Sequence, residues 1–284
     1  MSTRVSTYYI GRLNIISAYS NDKEVFLTRG LTSQAHLPTK SYAWGFFEVD
    51  RFVREEEVYL HGFLVKYRPS ESTEVVDIST REIEPSEFND KVKVKSRFFL
   101  NVKSGILAYQ ILGDITDNVF KRSFCDLLRR AYDNFLVDVD IQTINHNLSF
   151  FESISSLDSI SKITISLHPS NPSNRKIWRK QDERLKALNI KTQTDIIRLK
   201  SDVLVSKITS DEEINSKLHM ASDGYGKARI TGKSANEEKV VSTGDNPIKC
   251  KVELEAEKAD SISDIAAQIM PTFKSIFNRM KDAL

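Results

Sequence analysis

A period-two alternation of charged and apolar residues constrains the fold of this 284-residue chain more than any other feature. Residues 91–102 alternate lysine or arginine with valine and serine, and then continue into a Phe-Phe-Leu run. One charged face at period two is typical of a half-exposed β-strand. A Lys-Ser-Gly turn at 103–105 leads into a second apolar run at 106–112, so the segment predicts a β-hairpin.

Related patterns predict further strands in the first half of the chain. Residues 6–16 predict one strand, and 42–54 with 57–67 predict a hairpin around a run of glutamates. Thr116 is suited to cap a helix over 116–134, in which apolar residues recur at spacings of three and four. The chain therefore begins with a β-rich region that carries one helix.

From residue 135 onward, strand and helix patterns alternate. Strands are predicted over 136–144, 160–167, 192–205, 225–231 and 249–255, and helices over 148–155, 173–188, 210–220 and 261–284. Pro271 lies inside the last helical pattern and predicts a kink or a break. We expect an α+β protein of two domains, because the chain is long and residues 155–159 are small and polar. These are a β-rich N-terminal domain, 1–157, and a basic α/β domain, 158–284, that ends in a C-terminal helix.

Positive charge is concentrated in the middle of the chain, although the total net charge is only +2. Residues 91–235 contain 24 Lys and Arg against 16 Asp and Glu, whereas the segments on either side are acidic. The density is highest over 173–188, SNRKIWRKQDERLKAL, where six basic residues accompany two acidic ones. Because binding to a polyanion responds to the local field, this layout predicts a polyanionic partner.

The basic segment is predicted to form a helix that contacts DNA phosphates. Ser173 is suited to cap this helix, and neutralised phosphates release counterions, which favours binding without sequence preference. Trp178 is suited either to stack on a nucleotide or to pack in the interior. The predicted DNA-binding residues are Arg175, Lys176, Arg179, Lys180, Arg184, Lys186, Arg198 and Lys200. Lys227, Arg229 and Lys233 would extend this surface if they face the same side.

No catalytic constellation accompanies the basic segment. The chain has no Walker loop, no GxGxxG after a strand, and no histidine in HExxH or another paired ligand spacing. Glu253 and Glu255 lie on a predicted strand without the lysine that a metal-dependent nuclease uses two residues on. We therefore expect no catalytic residue, no metal and no cofactor.

The cysteines and the start of the sequence bear on the compartment. Cys125 and Cys250 show no metal-ligand spacing, which favours free thiols in a reducing environment. The first residues, MSTRVSTYY, contain no apolar run, and no window reaches 18 apolar residues. We expect a cytoplasmic protein without a signal peptide and without membrane insertion.

The order of these elements resembles that of the A component of the lambda Rex phage-exclusion system and its relatives. The closest stretch is 98–128, FFLNVKSGILAYQILGDITDNVFKRSFCDLL, which has a Phe-rich strand, a Gly turn, a second strand, Gly-x-x-Thr and an amphipathic helix. Residues 157–167, the basic helix, 222–239 and 265–280 follow in the matching order. The resemblance does not extend to residues 1–90.

The resemblance implies a cytoplasmic anti-phage protein that binds double-stranded DNA with little sequence preference and senses infection. It also implies a homodimer of two-domain protomers whose domains swivel, here near 155–159. Such proteins signal to a membrane partner that depolarises or arrests the cell. By position, the basic helix would be the DNA contact.

Two other functions remain open from the residues alone. One is a metal-dependent abortive-infection nuclease. The other is a protein-interaction module without nucleic-acid binding, for which the hairpin aromatics Trp44, Phe46 and Phe47 would supply a surface. The DNA hypothesis requires the basic residues beyond Pro172 to converge on one surface.

Overall fold

The computed structural model describes residues 3–16, 22–69, 72–77, 82–87, 91–135, 137–170, 175–258 and 260–281. The chain is an α+β protein, as predicted, and its two main sheets are antiparallel. One sheet has eight strands and the other has four, and a separate two-stranded hairpin accompanies them.

The elements follow one another along the chain. The strands are β1 (Thr3–Ile15), β2 (His36–Pro38), β3 (Ala43–Arg54), β4 (Glu57–Arg68), β5 (Ser72–Asp77), β6 (Glu82–Glu87), β7 (Lys91–Asn101), β8 (Ile106–Gln110), β9 (Val139–Thr143), β10 (Ser159–Leu167), β11 (Gln193–Leu204), β12 (Gly226–Ser234), β13 (Glu237–Ser242) and β14 (Lys249–Glu255). The helices are α1 (Lys23–Leu31), α2 (Asp117–Arg130), α3 (Asn147–Ser155), α4 (Arg179–Ala187), α5 (Val205–Thr209), α6 (Glu212–Met220) and α7 (Ile262–Lys281). A 3₁₀ turn, Lys176–Trp178, precedes α4, and a π-helical turn, Ala221–Tyr225, follows α6.

The first sheet has the order β14-β1-β8-β7-β4-β3-β2, and β9 also pairs with β1. Alternation along β1 directs Tyr8 and Ile10 into one core and Leu13 into another. Helices α1 and α2 cover the face that contains Leu13, and α7 covers the face that contains Tyr8. The sheet is therefore buried on both faces between helices.

The C-terminal segment belongs with the first sheet. Strand β14 pairs antiparallel with β1, where Tyr8 lies opposite Cys250, and α7 packs on the same sheet through Ile265, Ile269 and Phe273. The predicted second domain comprises all of 158–284. The structure corrects that assignment for β14 and α7, because their apolar residues are complementary to the open edge and face of β1.

Two helix boundaries have clear local causes. The Thr116 side chain accepts a hydrogen bond from the Val119 amide at 3.4 Å, which confirms the predicted cap of α2. This helix ends before residue 134, because Asp133 and Asn134 adopt positive φ angles. Helix α7 continues through Pro271 without a break.

The second sheet has the order β11-β10-β12-β13, and the helices that the structure describes cover only one of its faces. That face packs against α3, α4, α5 and α6 through a core containing Phe150, Leu185, Ile208 and Leu218. Strand β13 lies between the predicted strands 225–231 and 249–255, in a segment for which no strand was predicted. Its pairing with β12 extends the sheet by one strand.

The described part of the chain bears on the state of the cysteines and on membrane insertion. Both cysteines are buried free thiols, which agrees with the prediction. None of the helices that the structure describes is long and apolar enough to cross a membrane.

Candidate nucleic-acid interface

The uncovered face of the second sheet presents a group of cations, here called the open basic face. Lys162 on β10 lies opposite Arg198 on β11 and Thr231 on β12. One row along, Thr164 lies opposite Ile196 and Arg229. Because paired residues share a face of a sheet, these side chains lie on one surface. The cations of the open basic face are Lys162, Arg198, Lys200, Lys227, Arg229 and Lys233.

Strand alternation explains why cations gather on this surface. In β12 the buried residues Ala228 and Ile230 alternate with the exposed residues Lys227, Arg229 and Lys233. In β11, Ile197 and Leu199 contact the core. Arg198 and Lys200 alternate with them along the strand and therefore point outward. The covered face therefore takes the apolar set and the open face takes the charged set.

Carboxylates partly neutralise the margins of the open basic face. Lys233 Nζ lies 2.7 Å from Asp202 Oδ2, an ion pair that raises the pKa of Lys233. At the β9 side, burial acts to raise the pKa of Asp140, but hydrogen bonds to His168 and Gln142 outweigh it and lower the pKa, and the positive charge of Lys227 adds weakly to this lowering. In the central rows, Lys162, Arg198 and Arg229 form no ion pair with any residue that the structure describes.

The open basic face has no aromatic residue. Strands β10 to β13 contain no Phe, Tyr or Trp, and the neutral residues on the face include Ile196, Thr164 and Thr231. Single-stranded nucleic acids are usually held by aromatic side chains on which bases stack. The chemistry of this surface is therefore suited to phosphates rather than to bases.

The predicted basic helix lies on the other side of the second sheet. Helix α4 packs through Leu185 into the covered core, and Gln181 Nε2 donates to Gln193 Oε1 at 3.1 Å. The eight predicted DNA-binding residues are thereby divided between two surfaces. Arg198 and Lys200 belong to the open basic face, whereas Arg175, Lys176, Arg179, Lys180, Arg184 and Lys186 belong to the helical layer. The expectation of one continuous basic wall is therefore wrong.

Buried carboxylates neutralise two cations of this helical layer. Lys186 Nζ lies 2.6 Å from Asp182 Oδ2 and 2.9 Å from Ser170 Oγ. Arg175 Nη1 donates to Asp223 Oδ2 at 2.9 Å, and its side chain is only 14% exposed. Arg175 thus forms a structural ion pair with Asp223, and Lys186 forms one with Asp182. Arg179 is half-buried, and Lys176, Lys180 and Arg184 are exposed.

Trp178 packs in the interior, which excludes it from stacking on a nucleotide. Its side chain is fully buried, its ring lies 5.3 Å from the Tyr225 ring, and Nε1 donates to Asp223 Oδ2 at 2.8 Å. Ser173, the predicted cap of the basic helix, lies outside the described residues. The helical part begins as the 3₁₀ turn Lys176–Trp178 and becomes α-helical at Arg179.

Asp223 is the centre of a buried group of arginines, here called the Asp223 cluster. Its carboxylate accepts from Arg175, from Trp178 and, at 2.8 Å, from Arg279 Nη2, while its backbone oxygen accepts from Arg12 Nε at 2.9 Å. The Arg12 guanidinium also lies 4.2 Å from the centre of the Tyr225 ring. Two guanidinium groups thus share the Asp223 carboxylate and a third binds the backbone oxygen of the same residue, so Asp223 connects β1 and α7 to the helical layer of the second sheet.

The Asp223 cluster perturbs the groups beside it. Burial, assisted by the positive charge of Arg175, lowers the pKa of His219 to about 4. Burial also lowers the pKa of Arg279, although the adjacent Asp223 acts to raise it. His219 is therefore neutral at physiological pH, since its pKa lies well below 7.

Lys162 is not among the predicted DNA-binding residues, and Lys227, Arg229 and Lys233 are predicted only on the condition that they face the same side. The available signal was the alternation in residues 162–167, KITISL, where Lys162, Thr164 and Ser166 alternate with apolar residues. The proposed aromatic surface on the N-terminal hairpin is corrected as well. Trp44 and Phe46 are buried in the core beneath α2, and only Phe47 is exposed.

Comparison with known proteins yields one family match. A family described as "Domain of unknown function (DUF4747)" matches residues 7–270, nearly the whole chain. No curated protein matches the chain.

Proposed function

The chain belongs to the DUF4747 family, and we propose that it binds double-stranded nucleic acid through the open basic face without reading the sequence. The observation that carries this proposal is the placement of Lys162, Arg198 and Arg229 on one uncovered face without ion-pair partners among the described residues. Cations held in this way are available to phosphates, and each phosphate they neutralise releases counterions.

The dimensions of the face favour contact across the backbone. Four strands spaced about 4.8 Å apart give a surface about 14 Å wide. The major groove of B-DNA is about 12 Å wide, so a four-stranded sheet does not enter it flat. Threonine and serine hydroxyls at Thr164, Ser166 and Thr231 add neutral hydrogen-bond donors of the kind that contact phosphate oxygens. These contacts position a duplex but do not identify its bases.

Binding of a labelled 20-base-pair duplex by fluorescence anisotropy tests the proposal. The face variant combines Lys162→Gln, Arg198→Gln and Arg229→Gln, and we expect its affinity to fall by at least tenfold. The matched control combines Lys176→Gln, Lys180→Gln and Arg184→Gln, which removes the same charge from exposed positions of the helical layer. Near-wild-type binding by the control supports the assignment, whereas a larger loss in the control than in the face variant contradicts it.

An anti-phage role, a homodimer and a membrane partner remain proposals that rest on the resemblance alone. If phage exclusion depends on nucleic-acid binding, the face variant should lose it while the helix control retains it. Phage plating efficiency on cells expressing each variant measures this. Equal protection by the face variant and the wild type would separate exclusion from the open basic face.

The nuclease and interaction-module functions have less support. Among the residues that the structure describes, no group of three His, Cys, Asp or Glu side chains is arranged to hold a metal ion. Metal-dependent cleavage of plasmid DNA would favour the nuclease. Absence of duplex binding even at low salt would favour the interaction module.

A further inference from the structure

A groove of about 500 Å³ lies at the C-terminal half of α7, away from the open basic face. Its walls come from the start of α3, the start of β14 and one stripe of α7. The lining residues are His146, Ile248, Lys249, Pro271, Thr272, Ser275, Ile276 and Arg279. A volume of this size is in the range of sites for small ligands.

The lining combines the charged side chains of Lys249 and Arg279 with apolar residues and hydroxyl groups. Ile248, Ile276 and Pro271 are apolar, and Thr272 and Ser275 supply hydroxyl groups. No Asp or Glu is among the lining residues that the structure describes. The arrangement therefore suits a molecule that has both an organic part and an anionic group.

Arg279 connects this groove to the Asp223 cluster. Nη1 donates to the Asn145 carbonyl oxygen at 2.8 Å and Nη2 donates to Asp223 Oδ1 at 2.8 Å. A guanidinium has five N–H donors, so these two bonds leave donors unused. The side chain is 19% exposed and lines the groove. The hydrogen bonds to Asn145 and Asp223 thus fix the orientation of the Arg279 guanidinium, which favours binding of an anion in the groove.

Two further features of this region bear on what the groove could bind. Two guanidinium groups, those of Arg175 and Arg279, share the single carboxylate of Asp223, so positive charge is in excess among these three described side chains. The Asn145 side chain is fully buried, and neither its Nδ2 nor its Oδ1 has a partner among the described residues. Uncompensated buried charges and unpartnered buried amides are both costly, and a bound anion next to Arg279 would reduce the excess positive charge.

We propose that the groove binds a small phosphorylated molecule whose phosphate contacts Arg279 and whose organic part lies against Ile248 and Ile276. Phosphate is favoured because the fixed fork of an arginine matches its oxygens and the two hydroxyl side chains can donate to it. The site is independent of the open basic face, so either proposal can fail alone.

Isothermal titration calorimetry with AMP, adenosine and inorganic pyrophosphate tests this site. We expect AMP to bind with one-to-one stoichiometry and adenosine, which lacks the phosphate, to bind at least tenfold more weakly. Equal binding of AMP and adenosine would overturn the role of Arg279. Failure of both AMP and pyrophosphate to bind the wild-type protein would overturn the proposal as a whole.

Two variants locate the binding. Ser275→Glu places a carboxylate in the groove and should weaken AMP binding at least tenfold, whereas Ser263→Glu makes the same change at an exposed position near the start of α7 and should not. Arg279→Lys keeps the charge but loses the fork, and it too should weaken binding. If Arg279→Lys fails to fold, Ser275→Glu still decides the matter, because unchanged AMP affinity in that variant contradicts the proposal. The face variant of the second sheet should bind AMP like the wild type.

Discussion

Arg175 and Asp223 form a buried ion pair, with 2.9 Å between Arg175 Nη1 and Asp223 Oδ2. The same carboxylate accepts from Arg279 on α7, so it joins the first basic residue of the segment 173–188 to the helix that covers the first sheet. The density of basic residues along the sequence predicts that Arg175 contacts DNA. The pair instead makes it a residue that holds two parts of the fold together.

Replacing Arg175 with glutamine should lower the free energy of unfolding by about 3–5 kcal/mol. The substitution removes one partner of a buried ion pair, and such truncations carry costs of this size. Urea denaturation measures the change. Lys176→Gln, at the exposed neighbouring position, is the control and should stay within about 0.5 kcal/mol of the wild type. An Arg175→Gln protein as stable as the control would show that the pair contributes little.

His219 should make the stability of the protein fall as the pH is lowered. Its pKa is about 4 in the folded state against 6.5 in the unfolded chain, so the unfolded state binds the proton first. Stability is therefore fully present above pH 6.5 and is lost progressively as pH falls toward 4, by up to roughly 3 kcal/mol. Urea denaturation at pH 7.5, 6 and 5 measures this loss.

A His219→Gln variant provides the comparison for this pH dependence. It removes the titrating group, so its stability should decline less than that of the wild type between pH 7.5 and pH 5. Parallel decline of both proteins would mean that other groups cause the acid sensitivity.

Trp178→Phe should reduce stability but leave duplex binding intact. The variant retains an aromatic ring against Tyr225 but loses the hydrogen bond to Asp223, so we expect a loss of about 1–3 kcal/mol. Thermal unfolding measures the stability and anisotropy measures the binding at a temperature where the variant is folded. Weakened duplex binding by a fully folded variant would return Trp178 to the nucleic-acid interface.

Gly226 should not tolerate a side chain. It begins β12 with a φ of 157°, and a Cβ atom there would lie 2.0 Å from the carbonyl oxygen of Ser166 on β10. A backbone atom of a central strand cannot easily move. Gly226→Ala should therefore destabilise the protein by several times the typical cost of a point substitution, which is about 1 kcal/mol. Gly244, where a Cβ would meet nothing closer than 3.7 Å, is the control for the same substitution.

Local patterns were sufficient to predict many of the elements. Period two identified β7 and β8, and the capping threonine with an apolar stripe identified α2. These features depend on residues close in sequence. The short helix α1 and the edge strand β13 were missed, because α1 has only a weak apolar stripe and β13 is mostly polar and exposed.

The candidate site was harder to predict, because it depends on which distant residues share a surface. Nothing near Arg175 in sequence indicates that Asp223 will neutralise it, and nothing near Lys162 indicates that Arg198 and Arg229 will flank it. A run of basic residues identifies a charged segment but not its partners. The register of β10 with β11 and β12 determines which cations lie together on the open basic face.

The dependence of duplex affinity on salt tests the central claim most directly. A plot of log affinity against log salt loses about 0.9 in slope for each phosphate contact removed, so the face variant should have a slope shallower by up to about 3. The helix control, with the same change in net charge, should keep the wild-type slope. Equal slopes for the face variant and the wild-type protein would contradict the claim that Lys162, Arg198 and Arg229 contact phosphates.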